Sequence, residues 1–207
     1  KNWPNEYDSW WGFTELPNLN EQEPAYSSFI CGENGVLRKW MRAGVAGWRL
    51  DVADELPDAF LDQITAAVKA ENPQGAVIGE VWEDASTKCA YGVRRRYLLG
   101  GQLDSVMNYP FKDAILAFVR GGDCYRLYMT VMDILEHYPK PVLDVLMNSL
   151  STHDVERALT ALAGQPVGGN GREWQGQNNT LSRDRYELGK KLLRLAAVIQ
   201  YALPGIP

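Results

Sequence analysis

The sequence predicts an α/β fold built on a parallel sheet. Short, nearly continuous apolar runs alternate along the chain with stretches of helical period, the pattern of buried strands joined by crossover helices. Right-handed β-α-β units of this kind make either an open doubly wound sheet or a closed barrel. No Gly-x-Gly-x-x-Gly follows an apolar run, which weakens a dinucleotide-binding sheet. The runs lead instead to Asp51, Glu80, Asn108 and Asn148, with His153 and Asp154 just beyond, and in a (β/α)8 barrel that face carries the active site.

Each element has its own signal. Residues 1–24 mix Trp, Pro, Asn and Gly without a period and read as a long ordered loop or part of a small subdomain. Helical spacing over 26–43 ends at Gly44, a suitable C-cap. A strand is expected over 45–51. The helix over 57–71 puts Phe60, Leu61, Ile64, Ala67 and Val68 on one face and stops at Asn72-Pro73. Strands over 76–80 and, more weakly, 104–107 follow. Pro110 suits the first turn of a helix over 110–119. A helix over 123–138 and a strand over 145–148 come next. Helices over 155–163 and 185–202 flank a Gly- and Asn-rich loop at 164–180.

Composition excludes several function classes. The 207 residues are 45% hydrophobic and 23% charged, an ordinary globular mix rather than a disordered one. Lys and Arg number 21 against 26 Asp and Glu, a net charge of −5 without any basic run, which argues against nucleic acid or an anionic membrane as partner. No apolar stretch reaches the roughly 18 residues of a membrane span. The three cysteines are scattered without metal-ligand spacing and are expected to be buried free thiols. Seven Trp and ten Tyr are more telling, since aromatic-rich clefts stack on sugar rings as well as filling cores. Opening on Lys1 and ending at Pro207, the chain reads as an internal piece of a longer protein.

The candidate chemistry lies in carboxylates at successive strand ends. Arg49 and Asp51 are two apart on a strand and so share a face, where the guanidinium orients the carboxylate and suits it to act as a nucleophile. Glu80 follows an apolar strand and precedes Val81-Trp82, an apolar setting that suits a general acid. His153-Asp154 adds a third carboxylate beside an imidazole. Any one of these alone reads as a surface-loop carboxylate paired with a nearby Arg; together, each beside an Arg, Trp or His, they point to a site.

The blocks Gly47-Trp-Arg-Leu-Asp-Val-Ala-Asp-Glu55, Gly79-Glu-Val-Trp82 and Asn148-Ser-Leu-Ser-Thr-His-Asp154 with Arg157 resemble, in order and spacing, those of the α-amylase family of glycoside hydrolases (family 13). Glu15-Leu-Pro-Asn-Leu-Asn20 resembles the family's short segment in the small domain inserted after the third barrel strand, and Met107-Asn-Tyr-Pro110 its sixth-strand segment. The likeness is greatest to the neopullulanase, cyclomaltodextrinase and maltogenic amylase group. Asp54, where that group usually has Asn, and the Leu-Pro-Asn-Leu-Asn segment depart from it and bear on substrate choice.

The resemblance implies a partial TIM barrel, strands four to seven with their helices over residues 25–207, preceded at 1–24 by the end of the inserted subdomain B. It implies a retaining α-glycoside hydrolase acting on α-glucans or malto-oligosaccharides. Asp51 would be the nucleophile, Glu80 the acid/base, and Asp154 the transition-state stabiliser, with Arg49 holding the nucleophile and His153 the glucose hydroxyls. The two reacting carboxyl groups would lie about 5–5.5 Å apart. A transglycosylase and a non-catalytic carbohydrate-binding relative are the rival readings; the intact Asp51, Glu80 and Asp154 speak against the latter.

No cofactor is required by this chemistry, although parts of the family hold Ca²⁺ through residues upstream of this chain. The subgroup favours a cytoplasmic location and leaves a homo-oligomer open. Four barrel strands alone are expected to be inactive and poorly behaved as a monomer.

Further residues carry weaker readings. Trp82 is a wall of the acceptor side or packed core. Asn108, Tyr109 and Asn148 line the cleft or form turns. Asp54 and Glu55 bind an acceptor sugar or cap the helix that starts at Pro57. Trp3, Trp10, Trp11 and Phe13 pack the irregular subdomain rather than stack on substrate. Arg94-Arg95-Arg96 reads as a solvated helix face, and His137 as a surface residue near a helix end.

Overall fold

The computed structural model describes residues 7–165, 171–178 and 180–207. Trp3 lies outside the described residues. The chain forms two compact units, each interrupted in sequence. One takes the described residues up to Glu80 together with Cys89–Asp104; the other takes Val81–Lys88 and the chain from Ser105 to Pro207.

The first unit opens with a 3-10 turn at Trp10–Gly12, where Trp10 stacks on Trp11 with ring centroids 4.3 Å apart and on Phe13 at 5.8 Å. The single helix expected over 26–43 is instead two, α1 (Pro24–Cys31) and α2 (Val36–Arg42). The break is steric as well as conformational: a Cβ on Gly35 would sit 2.7 Å from the Ile30 carbonyl oxygen, so the chain folds back more tightly than any other residue allows. Glu33 in that turn pairs with Arg38 and Arg42, and Arg42 also reaches Glu71, which ties the turn to the next helix.

Strand β1 (Gly47–Leu50), helix α3 (Asp58–Glu71) and strand β2 (Ala76–Gly79) form a β-α-β unit, with β1 and β2 parallel in a register running from Gly47 opposite Ala76 to Leu50 opposite Gly79. The expected apolar face of α3 is the buried one: Phe60, Leu61, Ile64, Ala67 and Val68 are all in the core. Asp104 closes this unit. Its backbone N–H donates to the Val77 carbonyl at 2.9 Å, and its carboxylate accepts from the Val77 N–H at 2.8 Å and from Lys69 Nζ at 2.8 Å.

A two-stranded antiparallel hairpin, β3 (Cys89–Ala90) and β4 (Val93–Arg94), is absent from the sequence reading. It overturns the expected helix face at Arg94–Arg96. Arg94 is in a strand, Arg95 is buried, and Arg96 pairs with Asp62. Arg95 spends its guanidinium on three acceptors, the Asp58 carboxylate at 3.1 Å and the Asp54 and Leu56 carbonyls, and lies 4.8 Å over the Tyr97 ring.

The second unit contains β5 (Ser105–Val106), α4 (Tyr109–Val119), α5 (Cys124–His137), α6 (Lys140–Leu143), α7 (Ala158–Ala163), α8 (Arg172–Asn178) and α9 (Arg183–Ala202). Helix α4 packs against α5, α7 and α9, and buries Phe111 and Ile115. The strand expected over 145–148 is reduced to single parallel bridges from Met147 to Met107 and to Ile206. The cause is α6: Val145 and Leu146 still donate to carbonyls of that turn, leaving Met147 and Asn148 as the extended pair. Part of the loop expected at 164–180 is helix α8; residues 166–170 and 179 of it lie outside the described residues. His137 is half-exposed in the last turn of α5, as expected.

No helix among the described residues is long and apolar enough to cross a membrane. The cysteines divide: Cys31 is buried, whereas Cys89 and Cys124 are exposed, against the expectation of three buried thiols. Burial pushes the Cys31 thiol up to about 11. A maleimide at pH 7.5 should therefore label Cys89 and Cys124 quickly and Cys31 only after denaturation, by mass spectrometry of peptides; fast labelling of Cys31 in the native chain would contradict its burial.

Candidate active site

The first unit brings Arg49, Asp51 and Glu80 together. The β1–β2 pairing runs past the strand ends: the Glu80 N–H donates to the Leu50 carbonyl at 3.0 Å, and the Ala53 N–H donates to the Glu80 carbonyl at 3.1 Å. Parallel pairing therefore delivers Asp51 and Glu80 to the same end of the two strands. The Arg49 guanidinium engages both, Nη1 with Asp51 and Nη2 with Glu80 Oε2 at 2.9 Å. Glu80 is only 4% exposed and Asp51 is 75% exposed. A guanidinium fork can hold two carboxylates at once, which a lysine cannot do with the same geometry.

Glu80 has a second donor. The Val52 N–H reaches its Oε2 at 2.8 Å. Val52 adopts φ 36° and ψ 69°, a left-handed conformation that a β-branched residue strongly disfavours. Such a residue costs about 1–3 kcal/mol and persists only where its surroundings hold it. Here the holding contacts are the Glu80 side chain and main chain. The contacts of Glu80 thus include a guanidinium and a backbone N–H, neither of which its apolar sequence neighbours announce.

Asp54 and Glu55 follow in a short 3-10 turn, and neither caps the next helix, whose N-cap is Pro57. The Tyr97 hydroxyl donates to Asp54 Oδ1 at 2.6 Å, and burial followed by this bond pushes the phenol well above its ordinary range. Glu55 accepts from Trp11 Nε1 at 2.8 Å and from the Tyr91 hydroxyl at 2.6 Å. Tyr91 and Tyr97 are missing from the sequence reading, which places Arg95 on a solvated helix face. The available signal was Tyr91-Gly92 between short β-prone pairs, a hairpin turn followed by an Arg cluster.

The second unit carries the other candidates. His153 Nε2 lies 3.1 Å from Asp154 Oδ2. The Asp154 N–H donates to Thr152 Oγ1 at 3.2 Å, and that hydroxyl is 3.4 Å from the Tyr109 hydroxyl. Trp82 is 45% exposed and stacks on Tyr109, with centroids 4.6 Å apart and planes 10° apart. Asn108 is buried; it caps α4 by accepting from the Phe111 N–H and donates to Asn148 Oδ1 at 2.9 Å. Asn148 in turn donates to the Pro204 carbonyl at 2.8 Å. His153 also lines a cavity of about 870 Å³ with Arg157, Trp174 and Tyr186.

Among the described residues no group of three or more His, Cys, Asp or Glu is placed to hold a metal ion.

The model of the α-amylase catalytic domain matches residues 2–174. The chain belongs to the α-amylase family. An amylopullulanase of Thermoanaerobacter thermohydrosulfuricus is 32% identical to this α-amylase-family chain over 226 residues, covering 97% of the chain and 14% of the amylopullulanase. Neopullulanase 2 of Thermoactinomyces vulgaris is 35% identical over 151 residues, covering 72% of this chain and 24% of its own length. Cyclic α-maltosyl-(1→6)-maltose hydrolase from Arthrobacter globiformis superposes with a TM-score of 0.67 at 29% identity, over 76% of this chain and 33% of that one. A Nostoc punctiforme debranching enzyme gives a TM-score of 0.72 at 24% identity, over 97% and 39%, which speaks to fold alone. The α-amylase-family chain is therefore part of a TIM-barrel-type α/β domain, and it spans a small share of the curated relatives' length.

Removing Arg49 should cost more than activity. Arg49→Ala takes a guanidinium away from the buried Glu80, and the full-length protein should lose about 3–5 kcal/mol of stability by denaturant titration. A midpoint within error of the parent would show that Arg49 is not what stabilises Glu80 there.

Proposed function

We propose that this chain is the middle of the catalytic domain of a retaining α-glucan hydrolase. Residues 25–207 supply barrel strands four to seven, and residues 1–24 the end of an inserted subdomain. The observation that carries the reading is the single guanidinium of Arg49 on both Asp51 and Glu80, at the ends of parallel strands, in an α-amylase-family chain.

Asp51 attacks the anomeric carbon as Glu80 protonates the departing glycosidic oxygen, giving a β-glycosyl ester on Asp51. Glu80 then removes a proton from water, which attacks the same carbon, releases Asp51 and restores the α configuration. The unequal exposure of the two carboxyl groups fits unequal roles: an open nucleophile, and a buried acid/base held by fixed donors. Asp154, oriented by Thr152 and His153, stabilises the oxocarbenium-like transition state through the sugar hydroxyls. The Trp82–Tyr109 stack offers a flat apolar face to a pyranose. Asn108 supports that face as a buried cap rather than by touching sugar. Asp54, held by Tyr97, fixes the turn after the nucleophile.

In the full-length protein, Asp51→Asn should lower maltotriose turnover at least about 10⁴-fold with an unchanged melting temperature, and near-parental turnover would remove Asp51 from the role. Glu80→Gln should lower turnover of maltotriose far more than that of an aryl α-maltoside with a good leaving group, since the latter needs little protonation. An equal fall on both would mean that Glu80 is not chiefly the acid. Proton NMR should show the α-anomer released first; β-anomer first would sink the double displacement.

A further inference from the structure

A second feature of the first unit points to where a longer glucan chain is held. We propose that Trp11 and Tyr91 form an aromatic clamp that stacks on a glucose unit of an α-glucan, with Glu55 as the residue that positions both rings. The clamp rests on the α-glucan reading above and extends it to a defined binding site.

The two aromatics are distant in sequence and alike in setting. Trp11 is 64% exposed and Tyr91 is 75% exposed. Trp10 stacks on one face of Trp11, with centroids 4.3 Å apart, so the exposure of Trp11 lies on its other face, and a single open ring face is what the apolar face of a sugar needs. Each is held at its polar edge by the same carboxylate, Trp11 Nε1 at 2.8 Å from Glu55 Oε1 and the Tyr91 hydroxyl at 2.6 Å from that same oxygen. Both rings, with Glu55, line one cavity of about 690 Å³ that also presents Asn18, Asn20 and Glu21. An aromatic face beside amides and carboxylates is the chemistry that recognises a pyranose, whose ring C–H groups are apolar and whose edge carries hydroxyls.

The backbone makes the choice of residues pointed. Trp11 has φ 47° and is followed by Gly12 at φ 83°; Tyr91 has φ 53° and is followed by Gly92 at φ 77°. Both are two-residue left-handed turns, in which Asn-Gly or Asp-Gly is strongly favoured and a bulky aromatic is not. The same substitution against local preference occurs at both sites, and at both the aromatic is directed to Glu55. Turn geometry asks for Asn, so the rings answer to something else, and the shared cavity supplies it. The hydrogen bond to the Glu55 carboxylate pushes the Tyr91 phenol up to about 12, so the donor that fixes the ring persists well into alkaline solution.

The test exploits the turn preference. Affinity for maltohexaose is measured by calorimetry on the full-length protein carrying Asp51→Asn, so that the ligand is not consumed. Trp11→Asn and Tyr91→Asn should each weaken binding about tenfold while the melting temperature holds or rises, because Asn suits the turn. Tyr91→Phe, which keeps the ring and loses its tie to Glu55, should weaken binding about threefold. Unchanged affinity in both Asn variants overturns the clamp, and so does a loss confined to variants that melt earlier. Turnover by the form with Asp51 intact is read separately. If that form binds maltohexaose through the clamp yet does not cleave it, the hydrolase reading falls and the clamp stands.

Discussion

The double grip of Arg49 on Asp51 and Glu80 is the contact on which the rest of this site depends. A carboxylate as enclosed as Glu80 is expensive to bury unless charge and hydrogen bonds compensate it. The guanidinium supplies charge and the Val52 N–H supplies a directed donor. That second donor is available only because Val52 sits in the left-handed region. The strained turn, the buried Glu80 and the exposed Asp51 are thus one construction. Strand pairing sets its scale: Gly47 lies so close to Ala76 that a Cβ would come within 2.4 Å of the Ala76 carbonyl oxygen, so the strand leading to Asp51 tolerates no side chain there.

Much of this architecture was legible because it is local. The apolar face of α3 follows from spacing within one helix, and the shared face of Arg49 and Asp51 from the two-residue period of a strand. What escaped the sequence was set by partners far along the chain. Glu80 has apolar sequence neighbours, yet it is engaged by Arg49 on the adjoining strand and by Val52 in the turn after that strand. Asp54 and Glu55 read as acceptor ligands or caps; their partners Tyr97, Tyr91 and Trp11 lie some 36 to 44 residues away. The break between α1 and α2 escaped because the chain's close return at Gly32 and Gly35 is a contact with the preceding turn that residue spacing does not announce. The fourth strand is shorter than expected because the N–H groups of Val145 and Leu146 are spent closing a turn, although the Leu146 carbonyl still accepts from the Ile206 N–H.

Arg95 shows how a residue that looks solvated can organise a site. Its fork takes two main-chain carbonyls and one carboxylate from the stretch 54–58, directly after the Asp51 turn, and its plane rests on Tyr97. A lysine has neither the planar fork nor the stacking face to replace it. The hairpin and the segment after it therefore act as a brace for the loop that begins at Asp51, which gives a structural reason for an Arg cluster far from the carboxylates themselves.

The way the chain is divided between its two units bears on how the protein is made. Neither unit is a continuous stretch, because Val81–Lys88 is lent to one and Cys89–Asp104 returned to the other. During synthesis from the N-terminus, the β-α-β unit with Arg49 and Glu80 emerges well before its brace. Arg95 and the closing Asp104 arrive only after an eight-residue segment whose partners, starting at Ser105, have yet to be translated. The nascent chain must therefore hold the Asp51 turn unbraced for a time, and early assembly cannot be completed one unit at a time. Inherited modules face the same constraint: cutting or grafting at any single point between 80 and 105 would strand part of one unit inside the other, so this stretch can be exchanged between relatives only as a block.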